Sequence, residues 1–87
     1  MAEHKVTIKN MKYSPNPIVI QPGDSVYWVN EEDDVDMEHT ATANDKSFDT
    51  GTLMGGGQKS KSFQFSKTTP YYCLKHPKSM KGTVEVK

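Results

Sequence analysis

Eighty-seven residues with 33% hydrophobic content allow one small domain, 1–87, able to fold alone but with a thin core that a metal would help to hold. Formal net charge is zero and there is no arginine, which argues against a nucleic-acid partner. No run approaches the roughly 18 apolar residues of a membrane span, and a single cysteine excludes an internal disulfide.

Met1-Ala2-Glu3-His4-Lys5 leads straight into a strand pattern with no signal peptide. The chain therefore reads as cytoplasmic, or as a mature form behind a new start methionine. Lys5-Val6-Thr7-Ile8-Lys9 alternates polar and apolar residues, the period of a half-buried strand. Ser14-Pro15-Asn16-Pro17 is a turn or bulge, because proline offers no N–H to a ladder. Ile18-Val19-Ile20 is a short β-branched strand, and Gln21-Pro22-Gly23-Asp24 a turn. Ser25–Asn30 is the strongest strand, rich in β-branched and aromatic residues, with Trp28 in the core. An acidic loop from Glu31 to Glu38 follows and leads into an extended segment, Thr40–Ala43. Asn44–Ser47 is a turn, Phe48 an anchor, and Thr50–Gly57 an irregular loop. Its glycines are no phosphate cradle, since no Gly-Lys-Ser/Thr ending leads into a helical pattern. Lys61–Ser66 alternates with Phe63 and Phe65 on one face, Lys67–Pro70 is a turn, and Tyr71-Tyr72-Cys73 is a strand. Gly82–Lys87 alternates again. No window has a capped helical period. Short strands divided by Pro, Gly and Asn turns predict an all-β chain folded as an antiparallel sandwich or barrel.

Charge is segregated. Six acids fall within the eight residues from Glu31 to Glu38, and seven lysines against Glu85 alone follow from Lys59 onward. Such asymmetry suits weak, salt-sensitive docking to a protein. Any single charge is more simply explained as solvation.

The chemistry concentrates in Tyr71–Val84, which holds the only cysteine, one of three histidines, and a methionine four residues past that histidine. A thiolate, an imidazole and a thioether on one loop between strands form a soft donor set. Two histidines, one cysteine and a weak axial methionine make a blue-copper site, and His39 is the candidate for the second histidine. Taken singly, a cysteine, a histidine or a methionine is most simply structural. The spacing of Cys73, His76 and Met80, with His39 upstream, favours copper. Met37, Met54 and the carbonyl of Glu38 compete with Met80 for the axial place. His4, ahead of the first strand, reads as a surface residue.

These residues resemble the small cupredoxins, the type 1 copper proteins of the plastocyanin, amicyanin and pseudoazurin kind. The resemblance covers nearly the whole chain. It runs through Gln21-Pro22-Gly23-Asp24, His39-Thr40-Ala41-Thr42, Phe48-Asp49-Thr50-Gly51, Tyr72-Cys73-Leu74-Lys75-His76-Pro77 and Met80–Val84. It implies a Greek-key antiparallel β-sandwich of about eight strands with one copper ion at one end. His39, Cys73, His76 and Met80 match the family's four ligand positions one by one. Two departures stand out. The spacing between His76 and Met80 is longer than in amicyanin-like loops and shorter than in plastocyanin-like ones, so axial distance, colour and potential do not carry over. Thr40 stands where asparagine is common; its backbone N–H can still donate to the Cys73 sulfur, whereas Pro77 has none to give.

The resemblance implies a monomeric one-electron carrier, not an enzyme, placed in the periplasm or otherwise outside the cytoplasm. Redox partners would dock transiently at an exposed edge of His76 rimmed by Met54, Pro77 and Met11, with Lys75, Lys78 and Lys81 around it. The alternatives are a copper-handling protein, chaperone or resistance factor, and a metal-free binding module. The first predicts surplus surface Met or His, and the second predicts that Cys73 is dispensable.

Overall fold

A computed structural model of the chain describes residues 2–57 and 60–87. Its regular elements are strands: β1 (Glu3–Lys9), β2 (Lys12–Ser14), β3 (Ile18–Ile20), β4 (Ser25–Asn30), β5 (Thr42–Ala43), β6 (Phe63–Gln64), β7 (Thr69–Tyr72) and β8 (Lys81–Val86). They form two four-stranded sheets, ordered β2-β1-β4-β6 and β3-β8-β7-β5. This is a β-sandwich, one of the two forms that the strand spacing predicts and the one that the resemblance implies.

The pairing is mixed where an antiparallel pattern was expected. β1 runs parallel to β4, with Val6 opposite Trp28, and β3 runs parallel to β8, with Ile18 opposite Val84. The reason is the path of the chain. β1 and β2 form a hairpin, β3 joins the other sheet, and β4 returns beside β1 in the same direction; parallel neighbours require such a crossover.

Alternation places the core. Val6, Ile8, Val26, Trp28 and Val84 are fully buried, each two residues from the next inward position on its strand. Trp28 is the centre, with its ring stacked on Phe48 at 4.9 Å and edge-on to Tyr71 at 5.2 Å. Each such aromatic pair adds about 0.5–1.5 kcal/mol beyond the area it buries. Tyr71 lies over Gly82, its partner on β8, where a Cβ would come within 2.5 Å of the phenol ring.

Three boundaries differ from the sequence reading. β2 went unread because its turn, Asn10-Met11, carries Met where a turn with two positive φ angles favours Gly; the φ values are 54° and 61°. β7 begins at Thr69, inside the segment expected as a turn. Pro70 lies just past the last β5–β7 pair, Ala43–Tyr71, and serves there through its carbonyl, which accepts from Asn44 N–H. The alternating run 61–66 narrows to Phe63–Gln64: Phe65 N–H still donates to the Asp24 carbonyl opposite it, but its own carbonyl accepts from Gly23 while Asp24 N–H turns to Gln21, so the regular ladder ends there.

Candidate metal centre

The Cys73 end of β7 and the segment after the acidic loop meet at one end of the sandwich. Cys73 follows β7 directly, and the chain then forms a tight loop back to β8. Within the loop His76 N–H donates to the Cys73 carbonyl and Met80 N–H to the His76 carbonyl, while Cys73 N–H donates to the Met80 carbonyl at 3.1 Å. Three side chains thus hang from one closed turn. His39 comes from the other side, held by a two-way backbone pair with Leu53.

One donor atom each from His39, Cys73 and His76 lies within 4.8 Å of the others. The Cys73 Sγ is 3.9 Å from His39 Nδ1 and 3.7 Å from His76 Nδ1. Cys73 and His39 are fully buried, whereas His76 is half-buried. Two imidazole nitrogens converge on a thiol in a dry place. A thiol buried among apolar groups is inert unless something stabilises the thiolate. Here Thr40 N–H points at the sulfur from 3.4 Å, the donor expected from its position.

The surroundings are built to hold these groups still. Thr40 Oγ1 accepts from Leu74 N–H at 2.9 Å and so ties the Cys73–His76 loop to the His39 segment. Tyr13 Oη donates to the Thr40 carbonyl. Burial, with Cys73 and Tyr71 beside it, pushes the Tyr13 phenol far above its ordinary pKa, so it acts only as a neutral donor. Met80 is buried, 1% exposed, and belongs to the same core cluster as Cys73. The rival thioethers, Met37 and Met54, belong to half-buried residues. His4 stands apart, bonded to Asp24 Oδ2 at 3.0 Å.

The whole chain, residues 1–87, matches the model of the copper-binding proteins of the plastocyanin/azurin family. The chain belongs to that family. Solved structures agree. A purple cupredoxin from Nitrosopumilus maritimus superposes with a TM-score of 0.79 at 23% identity, over 95% of this chain and 98% of that one. Amicyanin from Paracoccus versutus gives 0.65 at 28% identity, over 95% of this chain and 79% of that one. A copper-containing nitrite reductase from Thermus scotoductus gives 0.79 at 29% identity, over 95% of this chain but 22% of the enzyme. The fold therefore also serves as a part of larger copper enzymes. Among curated proteins none matches.

The donor set fits the family's metal, copper. A thiolate suits Cu(I), imidazole suits Cu(II), and both kinds converge here within reach of one ion. His39 and the Cys73–His76 turn come from two separate segments of the chain, and folding brings their donor atoms together.

Two neighbours of the site were not read from the sequence. Glu32 was counted with the solvated acids, yet it is only 9% exposed and bonds His39 Nε2 at 2.8 Å. A signal was available. Val26, Trp28, Asn30 and Glu32 continue one alternation past the end of β4, and all four are buried. The Thr40 hydroxyl was also missed, because only the fold brings it to Leu74. The glycine run likewise serves the acidic loop. Gly56 N–H donates to the Glu32 carbonyl, and a Cβ on Gly55 would lie 2.1 Å from the Asp34 carbonyl oxygen.

Charge around the site is more balanced than expected. Lys75 pairs with Glu38 at 3.1 Å, so it joins the acidic loop to the Cys73–Met80 loop. Lys5 and Lys9 pair with Glu31 and Asp33 on the same loop. Among the described residues no helix is long and apolar enough to cross a membrane.

Proposed function

We propose that this chain is a one-electron carrier whose copper is held by His39, Cys73 and His76, with the Met80 thioether as a weak fourth partner. The convergence of two imidazole nitrogens on one buried thiol carries the reading. Bound copper supplies a reversible Cu(II)/Cu(I) couple. The protein's part is rigidity. Cys73 and His39 are fully buried, and the ligand loop is closed on itself by backbone hydrogen bonds, so neither oxidation state draws the ligands far from place. Thr40 N–H stabilises thiolate charge on the sulfur. Four protein donors on one ion leave no evident open position for a substrate, which supports a carrier over an enzyme.

His76 is the half-buried ligand and the route for electrons. Leu74, 47% exposed, and the exposed Pro77 give that face an apolar centre. Lys78 lies exposed on that loop and Lys81 at the start of β8, so a partner with an acidic rim would be steered there, and salt would weaken the encounter. Met54 and Met11, both half-buried, complete the rim. The family resemblance supports a monomer working outside the cytoplasm.

The test is a visible and electron-paramagnetic-resonance spectrum of the protein loaded with one equivalent of Cu(II). An intense thiolate-to-copper band that bleaches on reduction and returns on oxidation is expected, and Cys73→Ala abolishes it. A pale wild-type spectrum, or a band retained in C73A, would overturn the assignment. A pale protein that takes up Cu(I) and releases it readily would instead be a copper-handling protein.

A further inference from the structure

We propose that Glu32 is a positioning residue that fixes the tautomer of His39 and makes it a stronger donor, lowering the reduction potential of the site. The proposal rests on the ligand assignment above and adds a partner for one ligand. Glu32 Oε2 lies 2.8 Å from His39 Nε2, with the imidazole fully buried and the carboxylate nearly so. A carboxylate has no proton to donate, so the bond requires the proton to sit on Nε2. That leaves the Nδ1 lone pair free, and Nδ1 is the atom 3.9 Å from the Cys73 sulfur.

Two backbone donors hold the carboxylate for this role. Asn10 N–H donates to Oε1 and Met11 N–H to Oε2, each at 3.0 Å. Both donors belong to the β1–β2 turn with its two positive φ angles. Asparagine tolerates that conformation but methionine does not favour it, and it persists where neighbours over-determine it. The Glu32 carboxylate supplies two bonds to this turn. The Glu32 backbone is fixed as well, its N–H by Asn30 Oδ1 at 3.1 Å and its carbonyl by Gly56 N–H. The strained turn, the buried acid and the ligand histidine are one unit.

The chemical consequence follows from charge. An imidazole that donates to a carboxylate is more electron-rich at its other nitrogen, and such partners tune the metal that the ring holds. Stronger nitrogen donation favours Cu(II) over Cu(I). His76 is not matched in this way: among the described residues its ring bonds only to the Cys73 sulfur. The two histidines thus divide the work, one tuned from inside and one left for the partner.

The experiment compares wild type with Glu32→Gln, which keeps the shape and removes the charge. Loss of an outer partner typically changes metal affinity 10–100-fold, and a tenfold fall in the Cu(II)/Cu(I) affinity ratio raises a one-electron potential by about 59 mV. A rise of that order, with the blue band retained, is expected by voltammetry. A change in the ratio smaller than about twofold in a folded, blue E32Q protein would overturn the proposal. The second readout needs no copper and no variant. Nitrogen-15 NMR of the metal-free wild type must show His39 protonated at Nε2 with Nδ1 bare; a proton on Nδ1 instead refutes it. If wild type never turns blue while His39 has the expected tautomer, the copper assignment fails and the Glu32 bond stands. If wild type is blue and E32Q matches it in potential, the assignment stands and the Glu32 role fails.

Discussion

Thr40→Val tests whether the His39 segment really holds the ligand loop. Thr40 Oγ1 accepts from Leu74 N–H at 2.9 Å and lies 3.1 Å from Thr42 Oγ1. Thr42 spends its own hydroxyl proton on Asp49 Oδ1 at 3.0 Å, so the Thr40 proton is the one that bridges the two threonines. The result is a directed chain from the ligand loop, through two hydroxyls, to a carboxylate, and each link polarises the next. Valine has the same shape and cuts the chain. Thr40 is 1% exposed, so solvent reaches its place poorly. Leaving the Leu74 N–H unpaired costs about 1–3 kcal/mol. The methyl that replaces the hydroxyl returns at most about 0.8 kcal/mol of apolar burial. The net loss is about 0.2–3 kcal/mol, and each kcal/mol lowers Tm by about 4–8 °C for a domain of this size. Urea unfolding of the metal-free protein, followed by circular dichroism, measures the global part. Amide hydrogen exchange measures the local part: Leu74 must lose more protection than the β1 amides do. Equal losses at Leu74 and in β1, or none, would refute the reasoning.

Gly82→Ala places a Cβ 2.5 Å from the Tyr71 ring, and that ring is wedged between Tyr13 and Trp28, so overpacking costs about 1–3 kcal/mol; an unchanged melting curve would show that the ring can move aside. Asp24 accepts from Ala2 N–H, from His4 and from Gln21 N–H, which together hold its carboxyl down at about 2. Because the folded value lies below the unfolded one, near 3.9, its contribution is complete above that pH and is lost as pH falls through about 2. Asp24→Asn is therefore expected to be less stable than wild type near pH 6 and to lose less on acidification, with parallel profiles in thermal melts from pH 6 to 2 counting against it. Met80→Leu conserves volume and is expected to cost under about 1.5 kcal/mol in the metal-free protein, while shifting the potential and visible spectrum of the copper form. A copper form identical to wild type would remove Met80 from the ligand set.

Much of this protein is legible in its sequence because the relevant physics is local. Ser25–Asn30 is a strand as read, since β-branched and aromatic residues at period two leave few other ways to bury Val26 and Trp28. The loop from Cys73 to Met80 announces its chemistry by donor type and spacing within eight residues. His39, Cys73 and His76 meet as expected. What the tertiary structure decided is everything that depends on partners far along the chain. The parallel pairing of β1 with β4 follows from a crossover that no local pattern records. The turn at Asn10-Met11 was unreadable because its support, the Glu32 carboxylate, stands more than twenty residues away. Six acids in one run look alike in sequence. Only the fold separates Glu32, turned inward to His39, from Asp33 and Asp34, which lie exposed. Donor identity is a property of residues, whereas the orientation and electronic setting of a donor are properties of what the chain packs against it.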